Sequence, residues 1–144
     1  MPRDLFKSLK YTLHHGAEAA AQTTITPASG IDMAGYETCI FLVHFGTITA
    51  GAATSIEVHT SSDDGAVDTY TALLGSGVTV ADTQDDSIVT VEIKKPLERY
   101  LKCIVNRATQ DSVVGNIIAI QGGARKEPVS NTGEVHLSPI EGTA

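Results

Sequence analysis

Glu37-Thr38-Cys39-Ile40-Phe41-Leu42-Val43-His44-Phe45 is the stretch that decides the fold. It is an almost unbroken apolar run, bounded by Gly35 and Gly46. A run this short, rich in β-branched and aromatic residues and closed by glycines, reads as a strand with both faces covered rather than a helix. Working outward, Thr54 to Ser61 alternates: Ile56, Val58 and Thr60 point one way, Glu57, His59 and Ser61 the other. Ser87 to Lys94 repeats the pattern with Val89, Val91 and Ile93 inward. Arg99 to Arg107 puts Leu101, Cys103 and Val105 on one side. Such period-two segments are half-buried strands. Ser112 to Gln121 is a further core strand, and Gly115 inside it points to a bulge or a close backbone approach.

Shorter strands are predicted at Lys10 to His14, Thr23 to Thr26, Thr69 to Leu74 and Val78 to Ala81. Between them lie turn clusters such as Pro27-Ala28-Ser29-Gly30 and Ser62-Asp63-Asp64-Gly65. Glu18 to Ala21 is helix-friendly but too short to stand as a helix. No helical period runs through the chain. The reading is an all-β antiparallel β-sandwich, jelly-roll-like, of roughly six to nine short strands. The expected organisation is an N-terminal arm with the first short strand (1–16), a sandwich (17–124) and an extended C-terminal tail (125–144). Ile40, Leu42, Ile56, Val58, Val89, Val91, Leu101 and Val105 are expected in one core.

The chain has 144 residues, 42% hydrophobic and only 19% charged, with a net charge of −7. That length suits one domain and leaves enough apolar mass for a core. Between Lys10 and Lys94 there is no Lys or Arg, whereas eleven acidic residues fall there. Nucleic-acid binding is disfavoured by this balance. Met1 to Gly16 contains no apolar h-region, and no run approaches the length of a membrane span.

Cys39 and Cys103 each sit in an apolar strand and read as free, buried thiols, which fits a reducing compartment. The alternative is an immunoglobulin-type disulfide. That family places a Trp beside its bridge, and this chain has none. Motifs that carry chemistry are not found. No glycine cluster has phosphate-cradle spacing. His14 and His15 are adjacent and so diverge on a strand, while His44, His59 and His136 are isolated. Asp63, Asp64 and Asp68 lack the register of a calcium loop. No serine has a nucleophile-elbow context. The expectation is no enzyme, no cofactor, no metal, no small-molecule substrate and no membrane.

Several segments, in order along the chain, resemble small structural proteins of tailed-bacteriophage virions, of the capsid decoration (cement) type. They are Lys10-Tyr11-Thr12-Leu13-His14-His15-Gly16, Ile31-Asp32-Met33-Ala34-Gly35-Tyr36-Glu37, Ser61-Ser62-Asp63-Asp64-Gly65, Pro96-Leu97-Glu98-Arg99-Tyr100-Leu101-Lys102, Gly123-Ala124-Arg125-Lys126-Glu127-Pro128-Val129 and the closing Ser138-Pro139-Ile140-Glu141-Gly142-Thr143-Ala144. The resemblance implies a protein synthesised in a host cytoplasm that binds the outside of a capsid and stabilises it. Its partners would be the major capsid protein and copies of itself, as a dimer or trimer. The alternatives are a head–tail connector or tail component and, from another class, a carbohydrate-binding β-sandwich.

The candidate interface residues lie at the two ends. The arm holds Arg3, Leu5, Phe6, Lys7, Leu9 and Lys10; the tail holds Arg125, Lys126, Val129, Val135, Leu137 and Ile140. Apolar residues in a segment without a strand or helix period gain burial only against something else.

Overall fold

The structure is a computed structural model and describes residues 5–133. After one helical turn, α1 (Leu5–Ser8), come ten strands: β1 (Lys10–His15), β2 (Glu18–Ala21), β3 (Ile31–Asp32), β4 (Thr38–Ile48), β5 (Ala53–Ser61), β6 (Thr71–Ala72), β7 (Val78–Val80), β8 (Ser87–Lys94), β9 (Tyr100–Ala108) and β10 (Ser112–Gly122). They form two antiparallel sheets. Sheet A runs β1-β10-β4-β8, with β2 also on β10; sheet B runs β3-β9-β5-β6, with β7 also on β5. Taking β2 with β1 and β7 with β6 leaves eight strand positions, ordered 1-8-3-6 in one sheet and 2-7-4-5 in the other. The chain crosses between sheets at nearly every connection, which is the winding of a jelly roll.

The core lies between the sheets. Phe41, Phe45, Ile56, Leu101 and Ile117 are fully buried, with Cys39, Val43, Val58, Cys103, Val105 and Val114 around them. Ile56, Val58, Val89, Val91, Leu101 and Val105 take the inward positions the alternation predicts. Ile40 and Leu42 do not; they are half-buried on the opposite face of β4. The reason is register. β8 fixes its phase by turning Val89, Val91 and Ile93 inward, and these stand opposite Val43, Phe41 and Cys39. Residues directly opposite in an antiparallel pair share a face, so the odd-numbered residues of β4 are the inner ones.

Three other local expectations change. Glu18–Ala21 is a strand, because β10 offers it a pairing edge that overrides alanine's helix preference. The predicted strand at Thr23 to Thr26 shrinks to a single bridge between Ile25 and Val105. β4 runs on to Ile48, where a loop was expected from Thr47. Gly115 does mark an irregularity. The β10–β4 register shifts between Val114 and Asn116, and a Cβ at 115 would collide with the His44 imidazole.

Candidate functional site

The two ends meet at one corner. Val129 is 7% exposed, and its N–H donates to the Lys7 carbonyl at 2.8 Å. The Lys10 ammonium reaches the Ser130 carbonyl at 2.6 Å. The Asn131 amide clasps the arm from both sides, its Nδ2 donating to Leu9 O at 2.8 Å and its Oδ1 accepting from Tyr11 N at 2.9 Å. Of the residues the sequence singles out, Leu5, Lys7, Leu9, Lys10 and Val129 are thus brought together, with Phe6 on the same helical turn. Arg125 lies apart, its N–H bonded to Gly35 O, and Lys126 is exposed. Arg3, Val135, Leu137 and Ile140 lie outside the described residues.

Beside this corner is a feature that the sequence reading did not single out, the outer face of sheet A. Pairing places Tyr11 beside Ile120, and Ile120 beside Ile40; in the next row Leu13 stands beside Ile118, and Ile118 beside Leu42. Leu9 packs against Gly122 one row further, and Ile88 stands beside His44 at the other end. Tyr11, Leu13 and Ile88 are 41%, 65% and 61% exposed, while Ile40, Leu42, Ile118 and Ile120 are half-buried. The charged side chains on this face are Glu92 and Lys94, both on β8. The signal was present in the sequence: Ile117-Ile118-Ala119-Ile120 and the β4 run are apolar at successive positions, where a sheet with one wet face would alternate.

Sheet B is different. Its outer residues include Ser55, Glu57, His59, Lys102 and Asn106, and they are bonded to one another or to nearby loops. Lys102 Nζ lies 4.2 Å from the Tyr70 ring centroid and donates to Ala28 O. Arg99 grips Asp32 in a two-point bridge, both contacts 2.8 Å, which holds the Asp32 carboxyl below the usual carboxylate range. Asp63 and Asp64 are consumed locally. Asp63 accepts from the backbone N–H groups of Ala66, Val67 and Asp68; Asp64 accepts from Gly30 N and the Tyr70 hydroxyl. Among the described residues no group of three or more His, Cys, Asp or Glu is placed to hold a metal ion.

Both cysteines are free, and burial pushes each thiol up to about 12. At neutral pH they are uncharged and poorly nucleophilic. A cleft of about 510 Å³ is lined by Met33 to Glu37, Lys95 to Arg99 and Arg125. One of its charged groups has a structural duty, since Arg99 is tied to Asp32, and the Glu37 backbone anchors Lys95 and Gly122. Among the described residues no helix is long and apolar enough to cross a membrane.

No protein-family model matches this chain, and no curated protein matches it. Among solved structures it is similar to a chain in the structure of the infectious bursal disease virus Gx strain, at 14% sequence identity and a TM-score of 0.48. The match covers 83% of this chain and 34% of that one, so this chain spans about a third of the length of its structural neighbour.

Proposed function

We propose that this protein is a structural component of a virion, of the capsid decoration type, which docks on coat protein through the outer face of sheet A and the corner where its two ends meet. One observation carries the reading: a sheet face with two complete apolar rows across three strands, bordered by both chain ends. Exposed contiguous apolar surface on a rigid β block marks an interaction site, and the opposite face of the same sandwich is polar and internally bonded. The jelly roll is a frame common in viral capsid and lectin domains, which supports the reading by analogy of fold alone. The phage decoration assignment within that class rests on the sequence resemblance. A lectin-like role is less well served, since Tyr11 is the one aromatic among the exposed large hydrophobics of the described residues.

The test is cosedimentation with purified particles stripped of this protein. Leu13 is 65% exposed, so Leu13→Asp leaves the fold intact. It should weaken retention by roughly tenfold or more, as burying an unpaired carboxylate in an interface costs several kcal/mol. Unchanged retention would remove the face from the model. Hundreds of copies per particle fit decoration; about a dozen would point to a connector.

A further inference from the structure

We propose that two copies of this chain pair edge to edge through β8, antiparallel about a twofold axis at Thr90, so that their two A sheets become one. The proposal goes beyond the docking role above and does not depend on it.

The first observation is that, among the described residues, β8 is the one long open edge of the sandwich. A sheet edge is a row of unpaired N–H and C=O groups, and natural proteins blunt such rows with short strands, bulges or covering segments. The other edges are blunted in these ways. Those of sheet B are β3, β6 and β7, of two, two and three residues. At the far edge of sheet A, β1 and β2 both show register shifts against β10, and Asn131 lies along β1, bonded to Leu9 O and Tyr11 N. In contrast, β8 has eight residues, contains neither Pro nor Gly, and matches β4 residue for residue from Phe45↔Ser87 to Thr38↔Lys94. Among the described residues it pairs with no other strand. Its backbone changes direction only at the two ends, where Asp86 and Lys95 take φ values of 49° and 48°.

The second observation is what lies beside this edge. The inner side chains Val89, Val91 and Ile93 keep 8–9% exposure, whereas Cys39, Phe41 and Val43 opposite them on β4 have none. A groove of about 190 Å³ is lined by Thr90 to Ile93 and, from the sheet B side, by the turn after β6, whose Leu74 is fully exposed. A strand added to β8 would close both.

The third is charge, and it selects the occupant. The chain enters β8 through Asp85-Asp86 and leaves it through Lys94-Lys95. In an antiparallel pair centred on Thr90, Asp86 of one copy faces Lys94 of the other, and the twofold axis makes the contact twice. Among the described residues neither side chain is in an ion pair. Thr90 then meets Thr90, and Val89 meets Val91 on the inner side, both favourable cross-strand pairs. Glu92 falls opposite Ile88, two positions from Lys94 on its own strand. An in-register parallel pair would set like charges together instead. The same patch on both copies is what a closed twofold dimer requires. The contact is one strand about 26 Å long, at the low end of interface sizes, so pairing depends on concentration. Once formed, it puts the outer apolar rows of two copies on one continuous sheet.

The experiment uses the full chain under reducing conditions. Sedimentation velocity from about 1 µM to about 1 mM should carry the parent from monomer to dimer. Thr90→Asp sets two carboxylates opposite each other, and Lys94→Glu sets a carboxylate against Asp86; each should weaken pairing at least tenfold. Both positions are exposed, and circular dichroism checks that the fold is kept. A thiol linker of about 8 Å should join Thr90→Cys across the axis, where opposed Cβ atoms lie about 5 Å apart. It should not join Ile88→Cys, about 14 Å from its counterpart. Cys39 and Cys103 are buried and do not compete. If a charge variant failed to fold, the cysteine pair would still decide. A parent that stays monomeric at every concentration would overturn the proposal. So would a dimer that survives both charge substitutions, or one in which Ile88→Cys links as readily as Thr90→Cys, because another surface would then hold it.

Discussion

His14 Nε2 accepts the backbone N–H of Cys103 at 3.2 Å, joining the first strand of sheet A to the middle of sheet B. The need for this bond follows from the pairing. On its β3 side, β9 is matched at Leu101 by Ile31 and at Val105 by Ile25, and nothing in the ladder faces Cys103 between them. A buried N–H without an acceptor costs about 1–3 kcal/mol. His14, turned inward beside Phe41, supplies the acceptor.

That bond predicts a pH dependence. Burial, helped by His15 and Lys102 nearby, lowers the His14 pKa from 6.5 to about 4. Between those values the unfolded chain takes up a proton that the folded chain resists, so this contribution is complete above about pH 6.5 and is lost as pH falls through 4. Its size is on the order of 3 kcal/mol. Denaturant unfolding at pH 7 and pH 4.5 should show a steeper loss for the parent than for His14→Gln, which keeps an acceptor but does not titrate. Equal losses would mean that other groups set the acid limit.

Arg107 should be intolerant of change. It is 3% exposed, and its guanidinium donates to Thr23 O, Thr23 Oγ1, Ala19 O and Ser112 O at 2.8–3.0 Å. Arg107→Met would strand several carbonyls, and Arg107→Lys has too few donors in the wrong geometry. Both should lose about 2–4 kcal/mol in denaturant unfolding. A loss below about 0.5 kcal/mol, the size of an ordinary surface change, would show that water replaces the fork without penalty.

The sheet register makes neighbouring positions on β8 respond differently. Val91 faces the core at 8% exposure, and Thr90 beside it faces outward. Val91→Asp should cost roughly 3 kcal/mol or more, Thr90→Asp within about 0.5 kcal/mol. This pair also shows what sequence could and could not resolve. On β5 and β8 one face is polar, so alternation alone gave the phase. On β4 both faces are apolar, and nothing in Cys39 to Phe45 distinguishes Ile40 and Leu42 from Phe41 and Val43; the pairing with β8 does. The same two-sided pattern hid the outer face of sheet A, where Ile118 and Ile120 read as core. Nothing in the sequence marks Arg107, because two of its three carbonyl partners, Ala19 and Thr23, lie more than 80 residues away. The apolar character of the two ends was legible, but their attachment to each other was not.

That attachment yields a prediction about truncation. Viewed from the sequence, removing residues 127–144 should leave the thermal midpoint near the parent value, because the tail has no period of its own. The structure argues otherwise for its first part. Val129 is buried, and residues 129–131 bond to Lys7, Leu9, Lys10 and Tyr11. A buried valine contributes about 1.5–3 kcal/mol and each hydrogen bond about 1 kcal/mol. The larger drop in midpoint should therefore fall between chains ending at residues 133 and 126, not between the full chain and residue 133. Removing residues 2–9 deletes the other side of many of these contacts. The two truncations should then be strongly non-additive, the double truncation costing little more than the costlier single one, because a contact already lost from one side cannot be lost again from the other. Thermal unfolding of the four proteins in this cycle decides the matter. Additive losses would mean that arm and tail are anchored independently, and the corner would no longer be one structural unit.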